Sequence, residues 1–305
     1  MKSAILWPVL FYLVSLIAAP LLPGMISKIK ALFAGREGQP ILQPYYDLFR
    51  LWKKGAVYSR TTSALFYIAP LITMAAMLAA LALFPVSAFG ALLSFQGDLI
   101  LFVYLFGLAR FVSILASIDT GSSFCGMGAS REATFSIFNE LAFFLVLATL
   151  VKQTGSLSLS EMALPPSITD GASFNSAMPL LFVTLFIVLL AENYRIPVDD
   201  PTTHLELTMI HEVMVLDHSG PDLAFILYGA SLKMWMMVIL ASSVLLSPWT
   251  LSIWAHVSLV FVLTLTLSLL IGIIESVMAR FRLIKIPQFL VGATILGLIG
   301  YIITR

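Results

Sequence analysis

The ionisable residues of this chain crowd into one stretch, Glu192–Gly220, which reads ENYRIPVDDPTTHLELTMIHEVMVLDHSG. Counting Asp222 just beyond it, the stretch holds seven of the sixteen carboxylates (Glu192, Asp199, Asp200, Glu206, Glu212, Asp217, Asp222) and three of the four histidines. Three further charges, Arg110, Glu140 and Lys233, stand alone inside long apolar runs. Ionisable groups at such depth are costly, so they are paired or functional. Glu140 and Lys233 could relay protons from a hydrated polar path that opens at the acidic stretch, or the charges could form static ion pairs, such as Glu140 with Arg110 or Lys233, that fix helix packing. Arginine keeps its proton, which favours a static role for Arg110. Glu192 and Glu275 sit near the ends of apolar runs on the same side.

Other chemistries fit poorly. His204, His211 and His218 recur every seven residues. On one helix that spacing puts neighbours about 10 Å apart, too far to share a metal ion. His211 beside Glu212 does not make an HExxH pair. Gly121, Gly126 and Gly128 follow no strand and form no dinucleotide fingerprint. The single cysteine, Cys125, excludes an intrachain disulfide and a Cys-ligated zinc or iron–sulfur site in this chain. A net charge of +1 implies no bulk attraction to nucleic acid.

The elements that must position these groups are transmembrane. The 305 residues are 60% hydrophobic and 11% charged, with a mean hydropathy of +1.00, against about 25% charged in a soluble domain. A spanning helix needs about 20 mostly apolar residues. Eight candidates follow, at 4–26, 64–86, 98–118, 132–151, 177–193, 223–246, 253–276 and 286–303, and the fifth is short. The first apolar run exceeds a signal-peptide core and has no clear small-x-small site, so it is expected to remain as a span that ends at Pro20 and Pro23. The expected fold is one polytopic all-α membrane domain over 1–305.

Lys and Arg in short loops set the orientation. Loops 27–63, 119–131, 194–222 and 277–285 hold twelve basic residues, and the other side holds three, Lys2, Lys152 and Arg305. The first set is therefore expected in the cytoplasm, with both termini outside. Within loop 27–63, Tyr45, Leu48, Phe49 and Trp52 form one helical stripe, with Asp47, Arg50, Lys53 and Lys54 on the other face. This predicts a short helix in the headgroup plane or against a soluble partner. Segment 152–176 reads as irregular, with a short helix around Ser158–Met162.

Three motifs carry a resemblance over essentially the whole chain. IDTGSSFCGMGASRE (118–132) is similar to DTGSPFAGxGASRE. GREGQPILQPYYDLFRL (35–51) is similar to RRGPGxxQxYxDxxKL at Arg36, Gln43, Tyr45 and Asp47. In the acidic stretch Glu192, Arg195, Pro197, Asp199, Glu206, Leu207, Ser219 and Gly220 match a third pattern. Together they resemble the membrane subunit of the respiratory complex I subunit 1 superfamily, nearest the branch found in formate hydrogenlyase and hydrogenase-4 complexes. The resemblance implies a subunit of a bacterial or archaeal cytoplasmic-membrane oxidoreductase with no redox catalysis of its own. Iron–sulfur clusters, with or without a nickel–iron centre, would lie in soluble hydrogenase-like large and small subunits, and antiporter-like subunits would be its membrane partners. It further implies coupling through Arg110, Glu140, Glu192, Asp199, Asp200, Glu206, Lys233 and Glu275. Docking of the redox arm would use Arg36, Gln43, Asp47, Asp119, Arg131, Glu132, Arg195, Glu212 and Asp217. Thr202 and His204 replace acids of the family pattern, and Asp217-His218 replaces its Glu-Tyr. Quinone binding therefore stays open, as does a stand-alone proton-coupled transporter.

Overall fold

We describe a computed structural model covering residues 2–85, 89–162, 177–200, 208–247, 249 and 252–304. Among these residues the chain is all-helical, with no strand, and seven helical stretches are long and apolar enough to cross a membrane.

The first is α1 (Lys2–Ala18) continued by α2 (Leu21–Phe33). The prolines expected to end this span instead restart it. Pro20 is the N-cap residue of α2 and Pro23 lies in its first turn, where backbone N–H groups lack helical partners anyway. Lys28 and Lys30, assigned to a loop by sequence, therefore lie on a helix. Helix α3 (Gln43–Trp52) is the expected amphipathic one, with Pro44 in its first turn. Tyr45 donates its hydroxyl hydrogen to the Ile17 carbonyl, while Phe49 and Trp52 stay exposed.

Helix α4 (Ala64–Leu83) is capped by Ser63, whose hydroxyl accepts from Leu65 N at 3.2 Å. It packs on α5 (Asp98–Asp119). Helix α6 (Ser123–Thr154) begins nine residues before the predicted span at 132. The supposed loop 119–131 is mostly its first turns. The helix survives two glycines there because one of them is needed for packing. A Cβ at Gly128 would stand 2.4 Å from Val213 Cγ1 and 3.0 Å from the Ile210 carbonyl oxygen. Only hydrogen at that position lets the short helix α9 (His211–Met214) lie against α6. Helix α7 (Leu159–Met162) is the short helix expected near Ser158.

Helix α8 (Met178–Glu192) has 15 residues and is too short to count among the seven stretches. Helix α10 (Gly220–Leu246) is the most buried span and contacts α2, α3, α4, α8 and α11. Helix α11 (Ile253–Val277) crosses α2 closely, since a Cβ at Gly272 would come within 2.9 Å of Ile29 Cβ. Helix α12 (Lys285–Ile303) packs on α6 and α8. Leu13, Ile17, Leu71, Tyr104, Phe111, Ile137 and Val262 face outward, as expected where lipid is the solvent.

The segments after α2, α5, α8 and α11 meet at one end of the bundle. Ser63 N donates to Asp119 Oδ2 (2.7 Å), Val57 N to Ser219 Oγ (3.1 Å) and Phe281 N to the Pro197 carbonyl (2.9 Å). At the opposite end Lys152 donates to the Thr304 carbonyl, and buried Asp98 accepts from Leu159 N at 2.7 Å.

Candidate functional site

Two ion-pair clusters connect the loop end to the interior. The inner one is built on Arg110 of α5, whose guanidinium spans three carboxylates. Nε stands 3.2 Å from Glu132 Oε1, and Nη1 bonds Glu140. Nη2 bonds both oxygens of Glu192, lying 2.6 Å from Oε2. Asn139 Nδ2 donates to the same Oε2 at 2.6 Å, and Lys233 Nζ reaches Glu192 Oε1 at 3.5 Å. Tyr194 donates its hydroxyl hydrogen to Glu132 Oε1 at 3.0 Å.

The helices explain this convergence. Glu132 and Glu140 lie eight residues apart on α6, near two turns and hence on neighbouring faces. Glu192 ends α8, and Lys233 sits midway along α10. A fork with fixed donors suits three acceptors better than a point charge would. Glu140 differs from the rest of the cluster: its side chain is 42% exposed, on a face of α6 shared with Ile137, Leu141 and Phe144. The other two carboxylates are buried.

The outer cluster is centred on Glu275 of α11, whose side chain is 0% exposed. It pairs with Lys30 of α2 (3.1 Å) and Arg195 (3.3 Å), and Lys30 also reaches Asp200 at 3.6 Å. The Arg195 Nη2 to Met234 Sδ contact of 3.4 Å links this cluster to α10 beside Lys233. Arg280 pairs with Asp199 at 3.1 Å and bonds the Thr208 carbonyl. Asp199 also accepts from Ile210 N (2.9 Å) and His211 N (3.2 Å), which fastens α9 to the segment after α8. Burial raises the pKa of Asp199, and Arg280 with these amides opposes the rise.

A cavity of about 380 Å³ opens between α2, α3, α10 and the Asn193–Asp199 segment. Gln43, Asp47, Tyr194, Arg195, His211 and Lys233 supply polar groups to its wall. Gln43 donates to Asp47 at 3.0 Å, so part of the face of α3 expected to meet water or headgroups lines this cavity. Tyr194 stacks on His211, with centroids 4.1 Å apart and planes 6° apart, and Lys233 Nζ lies 4.7 Å from the Tyr194 ring centre. Burial, and then the charge of Lys233, pull the His211 pKa from its ordinary value down to about 3. Burial and the carboxylates Glu132 and Glu192 keep the Tyr194 phenol protonated, its pKa well above the ordinary value.

His211 makes the closed segment acid-sensitive. Its folded pKa lies below its ordinary 6.5. Between those values an opened segment binds a proton that the closed one does not, so closure weakens as pH falls, by about 1.4 kcal/mol per unit. Asp199, with a raised pKa, acts with the opposite sign. Hydrogen exchange at the Ile210 and His211 amides reads this. Protection factors are expected to fall about 15-fold between pH 6.5, where an opened His211 is already half protonated, and pH 5, and pH-independent protection would contradict the assignment.

The structure brings Arg110, Glu132, Glu140, Glu192 and Lys233 into one cluster, and Arg195, Asp200 and Glu275 into the other. Glu132 and Arg195, expected to face a docking partner, turn inward into these pairs. Arg131 donates to the Met209 carbonyl at 2.7 Å. Asp119 caps α4 through Ser63, and Asp217 accepts from the Cys125 thiol at 3.4 Å. Arg36 is exposed, and Glu212 lines the cavity. Glu206, Thr202 and His204 lie outside the described residues. His218 stacks on Phe66 at 4.0 Å, and no cluster with metal-ligand geometry occurs among the described residues. Sequence reasoning missed Lys30, Asn139 and Tyr194. Asn139, a polar residue next to Glu140 in an apolar helix, was the detectable signal.

A family model described as NADH dehydrogenase matches residues 6–305. Formate hydrogenlyase subunit 4 of Escherichia coli (strain K12) is 28% identical over 297 residues, 93% of this chain and 94% of that protein. Hydrogenase-4 component C of the same organism is 31% identical over 224 residues, 73% of this chain and 69% of that protein. A solved chain from the membrane-bound sulfane sulfur reductase, an archaeal respiratory membrane complex, superposes with a TM-score of 0.81. At 20% identity, with 99% of this chain and 100% of that one covered, it shares the fold. With a match that runs almost end to end, the chain belongs to the NADH dehydrogenase subunit 1 family, as a multi-pass, complex I-like membrane subunit of an oxidoreductase complex.

Proposed function

We propose that this chain is the membrane-anchoring and coupling subunit of a multisubunit oxidoreductase, joining a soluble iron–sulfur arm to ion-translocating, antiporter-like membrane subunits. It does no redox chemistry itself. Its only thiol, Cys125, is buried and bonded to Asp217, which leaves Cys-ligated clusters to the partners. The observation that carries the proposal is the Arg110 fork, which joins buried Glu192 to half-exposed Glu140. A carboxylate left facing hydrocarbon is costly, so this face of α6 suits a membrane partner. A charge change at Asp199, Asp200 or Glu206 would alter the field at Glu192 and Lys233 and pass through Arg110 to Glu140. Within a low-dielectric bundle such changes are worth several kcal/mol.

In this reading α8 is the eighth crossing. Its 15 residues span about 22 Å, short of a hydrocarbon core of about 30 Å. The Lys30–Asp200 and Val57–Ser219 contacts support a crossing nonetheless, because they need the segments after α2 and α8 at one face. The basic loops make that face cytoplasmic and put both termini outside, in the inner membrane of a bacterium or archaeon. Arg36, Gln43, Asp47, Asp119, Arg131, Glu212 and Asp217 lie at this end for docking of the arm, and the exposed Phe49 and Trp52 of α3 suit the headgroup plane.

A second reading, a quinone-binding subunit, is favoured by the 380 Å³ cavity with its polar and apolar walls. Purifying the complex through this chain and assaying iron, nickel and quinone tests both. Co-purifying soluble subunits that contain iron are expected. Nickel would mark a hydrogenase-type arm, and iron with stoichiometric quinone and no nickel would favour the second reading. A lone chain that moves a solute in liposomes would contradict both.

A further inference from the structure

A second, smaller cavity of about 40 Å³ lies beside Arg110. Thr73, Ser113 and Arg110 supply its polar wall, and Thr73 Oγ1 and Ser113 Oγ are 3.4 Å apart. A site needs roughly 10–15 Å³ per water and polar partners, so this chamber suits about three waters. It shares four lining residues with the 380 Å³ cavity, namely Tyr194, His211, Ala230 and Lys233. The stacked rings of Tyr194 and His211 thus stand between the two.

We infer that the small chamber is a water-binding site, and that the Tyr194–His211 stack is the partition separating its water from the cavity at the loop end. The inference rests on reading the Arg110 cluster as a coupling path and adds the element that controls water access to it. Both rings are held from behind. Tyr194 is fixed by its 3.0 Å bond to Glu132. His211 is fixed through its backbone N on Asp199, which Arg280 holds at 3.1 Å. The plates are parallel at 6°, and Lys233 covers the Tyr194 ring at 4.7 Å. His211 Nδ1 is buried and has no partner among the described residues, and such a nitrogen on the wall shared by the two cavities calls for water. The low pKa of His211 keeps the ring neutral beside Lys233, so the stack closes without like-charge repulsion. Loss of the Asp199–Arg280 pair would free the His211 backbone and with it the partition, which gives the loop end a mechanical hold on water entry.

Single cysteines test this in membranes holding the intact complex. Ser231→Cys lies on the large cavity and Ser113→Cys on the small chamber. Silver ion, a thiol reagent close to water in size, is added at the loop-end face. Unreacted thiol is then alkylated and read by mass spectrometry, with buried Cys125 as internal control. With His211 present, the Ser113→Cys thiol is expected to react at least tenfold more slowly than the Ser231→Cys thiol. Adding His211→Ala should remove that difference, whereas His211→Phe, which keeps a flat ring, should preserve it. Equal rates in the two single-cysteine proteins, or protection that persists in His211→Ala, would overturn the partition. The first comparison alters no ring and so decides the matter even if His211→Ala fails to assemble. Ion translocation is not read here, so a failed partition and a failed coupling role give different results.

Discussion

Arg110→Leu should destabilise the inner cluster by about 3–5 kcal/mol, the cost of removing one partner from a buried ion pair, and the chain should fail to accumulate in its complex. The reason is the count of charges left behind. One guanidinium contacts Glu132, Glu140 and Glu192, and two of those carboxylates are buried. Lys233, 3.5 Å from Glu192, can compensate one of them at most. Arg110→Lys keeps the charge but not the fork, since the three donors of an ammonium radiate from one nitrogen and cannot span carboxylates that Arg110 meets with three separate nitrogens. Its loss should fall between wild type and Arg110→Leu. Removing Glu192 together with Arg110 should cost less than Arg110→Leu alone, a non-additivity expected within one network. Quantitative blotting of membranes and thermal unfolding of the detergent-solubilised complex read all three variants. Wild-type abundance and melting for Arg110→Leu would contradict the cluster as described.

Glu275→Ala should act at the outer cluster with a loss of about 3 kcal/mol, toward the low end for a buried pair. The fully buried carboxylate joins α2, α11 and the segment after α8 through Lys30 and Arg195. Both cations keep some access to water, and Lys30 retains Asp200 at 3.6 Å, which moderates the cost. The damage should be local. Limited proteolysis is expected to cut between α8 and α10 at least tenfold faster than in wild type, while the segment between α5 and α6 stays resistant. Uniform sensitivity across all loops, or none, would contradict the role given to Glu275.

Much of the fold was legible because lipid imposes a simple demand: about 20 apolar residues per crossing. That rule located the spans and also left α8 as the doubtful one. It erred where backbone chemistry governs helix ends. Pro20 and Pro23 read as a stop, yet prolines fit the first turn of a new helix. The polar residues 123–131 read as a loop, yet hydropathy cannot separate the water-facing start of a long helix from a linker. Both errors hid site geometry, by moving Lys30 off α2 and Arg131 off α6. The charges of the site were legible as isolated residues in apolar runs. Their pairing was not, since Arg110, Glu140, Glu192 and Lys233 lie on four helices that no periodicity relates. The Tyr194–His211 stack left no trace at all, because it depends on how Asp199 and Gly128 seat α9.

Glu140 is the only member of the inner cluster with a half-exposed carboxylate, and in this account it is the exit of the coupling path. The most direct measurement is the number of ions translocated per electron pair by the intact complex in proteoliposomes, comparing Glu140→Gln with wild type. The substitution keeps shape and an acceptor for Arg110 but removes the charge. The account predicts that electron transfer continues while the ratio falls at least tenfold. A ratio equal to that of wild type would contradict it.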